Sequence, residues 1–351
     1  MDSIADIYDH THADLAATLT TMPQRPGFFE DLNATRFIFD AILTAVPLDT
    51  SGVEVRTLDI DGPDGNRIPI GIYRPREVTG SLPAILYLHG GAFAFGRSKP
   101  GGDHVAIGIA EQVGAVVVSV SYRLAPEDPY PAGIEDCYRA LTWTAAHAAE
   151  LGIDADRIAV TGQSAGGGLT AAVALMARDR GGPSIAYQSL YAPTLDDRRV
   201  TVSAGRIADR RVLNTYDLAD IYDHYLPDRN QVPVYAAPAR ATDLSGLPPA
   251  FVLVCELDPL RDEGLDYARR LMDAGVPVTV HHVPGAWHIF EINAPASPLA
   301  LQSIGLWLTH LRTALDLSAT TTRPLLQAPT AWTKLRLGIR LLLNRRRLSL
   351  S

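Results

Sequence analysis

The stretch "RIAVTGQSAGGG", Arg157 to Gly168, sets one serine between glycines, after a run of β-formers and before a long helical segment. Strand before and helix after give the pattern G-x-S-x-G its meaning, because a tight bend between them lifts the serine oxygen clear of the sheet. Gly162 and Gly166 let strand and helix approach closely around Ser164. Ala165, first in the helix, would aim its backbone N–H at a developing negative oxygen, helped by the helix dipole. A glycine-rich turn is the plainer reading, and the choice depends on a base, an acid and further N–H donors elsewhere in the chain.

Outward from this bend, short apolar runs alternate with helical patterns. "PAILYLH" (83–89) and "AVVVSVSY" (115–122) are nearly continuous, as in strands buried on both faces. "SIAYQSLYA", "AFVLVCE" and "VPVTVHHV" add further strands, and helices are predicted near 132–150, 165–180, 262–274 and 296–316. "VEVRTLDI" and "RIPIGIYRP", joined by "DGPDGN", form a hairpin signal. The alternation predicts an α/β fold: a central, mostly parallel eight-stranded sheet flanked by helices.

Residues 1–50 read as N-terminal cap helices, with Ile4, Ile7, Leu15 and Leu19 and then Phe37, Ile38, Ile42 and Leu43 at helical spacing. Residues 51–316 read as one domain carrying the Ser164 bend. Within it, 195–245 lacks a clear strand and reads as a helical insertion over the carboxyl edge of the sheet, where α/β proteins bind ligands. Residues 317–351 are a tail with seven basic side chains and no acid, on a chain whose net charge is −8. "TAWTKLRLGIRLLLNRRRLSLS" mixes apolar and basic residues in a way that suits peripheral contact with an anionic membrane surface through 330–351. Docking on the acidic body is the alternative.

The acidic body argues against nucleic acid as a partner, since phosphate binding needs basic patches. The start "MDSIADIYDH" lacks a basic region and an apolar core of signal-peptide length, which points to a cytoplasmic protein. Cys137 and Cys255 are the two cysteines and have neither CxxC spacing nor a nearby histidine pair, so no metal or other cofactor is expected. Oligomeric state is open.

In "LYLHGGAFAFG", Leu86 to Gly96, a strand ends at His89 and two glycines follow. Gly91 and Ala92 are the candidate N–H donors to the oxyanion, and His89 a residue that orients the loop. The base is a histidine at the same sheet edge. His10, His12, His147 and His310 lie in helical or terminal stretches, His281 and His282 in a strand, His224 in the insertion, and His104 beyond the glycine loop. His288, in "VPGAWHIF", follows the last strand in a loop. In "FVLVCELDPLRDEG", Asp258 sits just past a strand, Glu256 belongs to the strand end, and Asp262 and Glu263 suit the first turn of the next helix. Ser164, Asp258 and His288 therefore form the candidate catalytic set. Histidine takes the serine proton and returns it to the leaving group, and the carboxylate fixes its tautomer. Tyr222, Tyr225 and Trp287 are candidate substrate-binding residues.

"HGGAF", "SYRLAPEDPYPAG", "GQSAGG", "DPLRDEG" and the His288 loop together resemble the hormone-sensitive lipase family of α/β-hydrolases, bacterial carboxylesterase branch. The resemblance covers about residues 50–315. It implies catalytic Ser164, Asp258 and His288, oxyanion donors at Gly91, Ala92 and Ala165, and a serine carboxylesterase acting on short- to medium-chain acyl esters through an acyl-enzyme. This chain departs from the family pattern at Ala92, where a third glycine is usual, at Gln163, where an acid is usual, and at Ile289, where glycine is usual. Arg123, Glu127 and Asp136 are expected to brace the glycine loop. The alternatives are amide or lactone hydrolysis at the same residues, or a non-catalytic ligand receptor on the same fold, which His288 argues against.

Overall fold

The computed structural model describes residues 4–45, 47–96, 101–317 and 325. In chain order the elements are α1 (Ala13–Thr21), α2 (Leu32–Ala45), β1 (Val53–Asp61), β2 (Arg67–Pro75), β3 (Leu82–Leu88), α3 (His104–Val113), β4 (Val116–Val120), α4 (Ala132–Ala146) and α5 (Ala148–Leu151). There follow β5 (Ile153–Gln163), α6 (Ala165–Asp179), β6 (Tyr187–Tyr191), α7 (Val202–Arg206), α8 (Thr215–Tyr225), β7 (Ala250–Leu257), α9 (Arg261–Asp273), β8 (Val278–Trp287) and α10 (Pro298–Ala314).

The eight strands form one sheet in the order β1-β2-β4-β3-β5-β6-β7-β8. β1 and β2 make the antiparallel hairpin read from "DGPDGN", and β2 also runs antiparallel to β4. All remaining pairs are parallel. The fold is thus the mostly parallel α/β architecture that the alternation predicted. β3 shows why its sequence is apolar throughout. Ala84, Leu86 and Leu88 enter the apolar cluster that includes residues of α4 and α6, while Ile85 and Tyr87 enter the cluster that includes α3 and α10. Successive side chains point to opposite faces, and both faces are covered.

Two local expectations differ. The strand read from Arg157 begins at Ile153, and the helix read as 132–150 breaks at His147 into α4 and α5. The N-terminus is not helical from Ile4. Ile4 forms a parallel bridge with Ile207, its N–H donates to Arg206 O at 2.7 Å, and the regular helix starts at Ala13. Pairing with a segment about two hundred residues away overrides the amphipathic spacing.

The segment between β6 and β7 carries α7 and α8 and meets the N-terminal residues. Arg25 pairs with buried Asp217, and the Phe29 ring stacks on His224 at 4.2 Å. Asn214 and Asp217 form a capping box that starts α8. Among the described residues no helix is long and apolar enough to cross a membrane. The expectation of membrane contact through 330–351 lies outside the described residues.

Candidate active site

Ser164 sits between β5 and α6 with φ +57° and ψ −120°. This backbone is strained for any residue bearing a Cβ. Its neighbours hold it there. The Ser164 N–H donates to Tyr191 O at 2.9 Å, and its carbonyl accepts from Gly168 N at 3.0 Å and Thr194 N at 3.1 Å. Gly166 is glycine because a Cβ there would lie 1.9 Å from Leu88 O, so only a bare backbone lets α6 close against the end of β3.

His288 follows β8, and its ring spans two partners. Nε2 lies 2.9 Å from Ser164 Oγ, and Nδ1 lies 2.6 Å from Asp258 Oδ2. Asp258 is 1% exposed, and its other oxygen accepts from Leu260 N at 2.9 Å. Its side chain is therefore fixed before α9 begins. The His288 side chain retains 10% exposure, so the ring is reachable from outside while its carboxylate partner is not. Ser164, His288 and Asp258 are brought together into one hydrogen-bonded chain. The other histidines do not join it: His89, for example, stacks on Tyr122 with ring centroids 4.2 Å apart, and its Nδ1 lies 2.8 Å from Gly90 O.

The loop after β3 turns sharply. Gly91, Ala92 and Phe93 all have positive φ, +128°, +52° and +57°. At Gly91 a Cβ would fall 1.9 Å from Phe95 O. Among the described residues the N–H groups of Gly91 and Ala92 donate to no acceptor, whereas Ala94 and Phe95 both donate to Gly91 O at 2.9 Å. Ala165 opens α6, so its N–H is among those that have no intrahelical acceptor.

Several braces hold this loop. The Tyr122 hydroxyl donates to His89 O at 2.7 Å, and Ala125 N to Phe93 O at 2.9 Å. Arg123 grips Asp136, 1% exposed, through Nε and Nη2, both at 2.9 Å. Arg36, from α2, donates to Ala94 O at 2.8 Å, to Ala125 O at 3.0 Å and to both oxygens of Glu127 at 2.7 Å. Phe28 and Phe39 pack on Phe95 with centroids 5.2 and 4.6 Å apart. Arg123, Glu127 and Asp136 thus lie in the bracing, as read from sequence. Arg36 was not singled out, though a lone arginine in "NATRFIFDAIL" was its signal.

Tyr222 and Tyr225 are buried on α8. Tyr225 stacks on Phe93 at 3.9 Å, and Tyr222 approaches the same ring at 6.5 Å. Both hydroxyls are buried without a hydrogen-bond partner among the described residues. Burial pushes both phenols well above their ordinary range, so they stay neutral. Trp287 is 1% exposed, belongs to the apolar cluster on the other side of the sheet, and donates to Asn293 Oδ1 at 3.1 Å. Glu263 differs from its reading as a partner of the helix dipole. It turns inward and accepts from Leu195 N at 2.6 Å and Asp196 N at 3.2 Å, 2% exposed. Sequence reasoning also missed Glu291, buried beside Gln163.

The family described as alpha/beta hydrolase fold matches residues 85–292. Carboxylesterase NlhH of Mycobacterium tuberculosis is 42% identical over 270 residues, covering 75% of this chain and 83% of that protein. Ethyl acetate hydrolase of Pseudomonas putida is 34% identical over 241 residues, covering 67% of this chain and 75% of that protein. Among solved structures, a bacterial heroin esterase superposes with a TM-score of 0.82 at 40% identity, over 88% of this chain and 99% of that one. On this evidence of sequence and shape the chain belongs to the α/β-hydrolase fold family.

Proposed function

We propose that the protein is a serine carboxylesterase that cleaves short- to medium-chain acyl esters through an acyl-enzyme on Ser164. That it hydrolyses carboxylic esters follows from its relatives. The assignment of roles rests on one observation, the unbroken hydrogen-bonded chain from Ser164 through His288 to Asp258.

In this reading His288 Nε2 takes the Ser164 proton as Oγ attacks the ester carbonyl. The new C–O bond moves the carbonyl electron pair onto oxygen. The N–H groups of Gly91, Ala92 and Ala165 receive that oxyanion, each donor typically contributing about 3–4 kcal/mol. The imidazolium then gives its proton to the departing alcohol. Water, deprotonated by the same ring, releases the acid and restores Ser164. Asp258 holds Nδ1–H so that Nε2 faces the serine, and its burial keeps the ion pair out of water. The N-terminal helices and the segment with α7 and α8 form a cap over this edge. Phe93, Tyr222 and Tyr225 supply a rigid aromatic wall, which favours small acyl groups over long chains.

The test is hydrolysis of p-nitrophenyl acetate, butyrate, octanoate and palmitate by the wild type and by Ser164→Ala. Turnover is expected on the shorter esters, falling toward palmitate, with a loss of at least about a thousandfold in the variant. Ser164 should also be labelled by a fluorophosphonate. Equal rates in the two proteins would remove Ser164 as nucleophile, and fastest turnover of palmitate would overturn the chain-length assignment.

A further inference from the structure

Glu291 stands in the short turn Phe290–Ile292, three residues after His288. It is 4% exposed, and among the described residues it has no ion-pair partner. Its Oε1 accepts from Gln163 Nε2 at 3.2 Å, while Gln163 Oε1 accepts from the Tyr87 hydroxyl at 3.3 Å. Gln163 immediately precedes Ser164, so this chain of contacts runs behind the reactive bend. Glu291 Oε2 and the Tyr191 hydroxyl are both buried with no hydrogen-bond partner among the described residues.

A buried carboxyl without a cation is costly, and a neutral side chain of the same shape would fill the space more cheaply. The groups that face it are Gln163 from β5, Tyr87 from β3, Tyr191 from β6, Cys255 from β7 and His288 from its own loop. Burial keeps Tyr87, Tyr191 and Cys255 in their protonated, neutral forms. Of the five, only His288 becomes positively charged. We propose that Glu291 is a positioning residue whose buried carboxylate, held by Gln163, supports the positive charge that forms on His288 during turnover. The inference rests on the serine-esterase reading above.

Burial pushes the Glu291 carboxyl up to about 7, against the opposing pull of Tyr191, His288 and Gln163. The group therefore changes charge in the range where the enzyme would work. A charged carboxylate here and the positive charge that forms on His288 during turnover favour each other.

The test is the pH profile of kcat/KM for p-nitrophenyl acetate in the wild type, Glu291→Gln, Gln163→Met and Ser164→Ala, with thermal unfolding alongside. Glu291→Gln keeps the acceptor for Gln163 and removes the charge. Its acid limb should move to lower pH by about half a unit or more, because the imidazolium loses a neighbouring anion. Its kcat should fall about tenfold with little change in KM, the signature of an interaction made in the transition state. Gln163→Met keeps the carboxyl and removes its donor, which disfavours the carboxylate and so weakens the support of the imidazolium, and its acid limb should also move to lower pH, by less than in Glu291→Gln. Should one variant fail to fold, the other still decides by the direction of its shift. Acid limbs superimposable on the wild type, with Ser164→Ala inactive, would overturn the role of Glu291 and leave the esterase reading standing. An active Ser164→Ala would remove both.

Discussion

Replacing Arg36 by alanine tests whether α2 positions the glycine loop after β3 or merely covers it. The side chain is 21% exposed and reaches two backbone carbonyls, Ala94 O in the loop and Ala125 O in the segment beneath it. Hydrogen bonds from a charged donor contribute about 1.5–3 kcal/mol each, the lower end applying to a partly exposed group. Two of them at that lower end place the cost of Arg36→Ala at about 3 kcal/mol of stability. The ion pair with Glu127 is a lesser part, since Glu127 is 59% exposed and such pairs are worth about 0–1 kcal/mol. Glu127→Gln should therefore cost much less than Arg36→Ala. Arg36→Lys keeps the charge but not the fork that spans two carbonyls, and should fall between them. Activity should follow, because a shift of about 1 Å in catalytic groups can cost about a hundredfold. The assay is urea unfolding followed by tryptophan fluorescence, with kcat/KM on p-nitrophenyl acetate measured on the same preparations. If Arg36→Ala costs no more than Glu127→Gln, the carbonyl contacts carry no weight. If stability falls while kcat/KM stays within twofold, the loop keeps its shape without α2.

Asp258→Asn should reduce kcat by about a thousandfold to ten-thousandfold with little loss of stability, because the amide presents the wrong hydrogen-bonding pattern to Nδ1. A fall of less than tenfold would remove Asp258 from the mechanism. Glu263 offers a pH-dependent test, since burial pushes its carboxyl well above the ordinary carboxylate range. The folded state then holds a proton that the unfolded chain, with an ordinary glutamate near 4.3, releases earlier. The stability that Glu263 contributes is full below that value and is lost as pH rises toward the raised folded one. Glu263→Gln retains an oxygen for the N–H groups of Leu195 and Asp196, so its melting temperature should gain on the wild type as pH rises above the ordinary glutamate range. A difference independent of pH would contradict a proton held by buried Glu263 in the folded state.

The parts of the fold that sequence reveals are those in which local pattern and tertiary environment agree. "AVVVSV" is apolar at every position but Ser119 because β4 lies between β2 and β3 and is covered on both faces, and the Ser119 hydroxyl is satisfied by Asp103 Oδ2 at 2.6 Å. The Ser164 bend was legible for the same reason, since its glycines answer to a close approach of backbone on backbone. Ile4 was not legible. Its extended pairing with Ile207 is dictated by a partner far along the chain, and the Ile7 N–H is held by the carboxylate of Asp209 at 3.1 Å, so local spacing carried no trace of it. Glu263 misled for a similar reason. Acids in the first turn of a helix normally face water, but the loop after β6 presents two N–H groups to this one, and that loop lies about seventy residues upstream.

Two departures from the family pattern read differently once they are set in space. Ile289 has φ +49°, a conformation that suits glycine and strains a β-branched side chain. It is 8% exposed within the apolar cluster that also holds Trp287 and Phe290. Burial of a large side chain offsets backbone strain of about 1–2 kcal/mol, so the bend after His288 is held by packing where flexibility would otherwise supply it. Gln163 replaces an acid with an amide that donates to Glu291 and accepts from Tyr87. An acid at position 163 would set two carboxyls against each other in a buried space, with one forced to stay protonated. The pair Gln163 and Glu291 instead leaves a single carboxyl behind Ser164, so the two positions constrain each other. Gln163→Glu alone should therefore lower the melting temperature more than Gln163→Glu combined with Glu291→Gln.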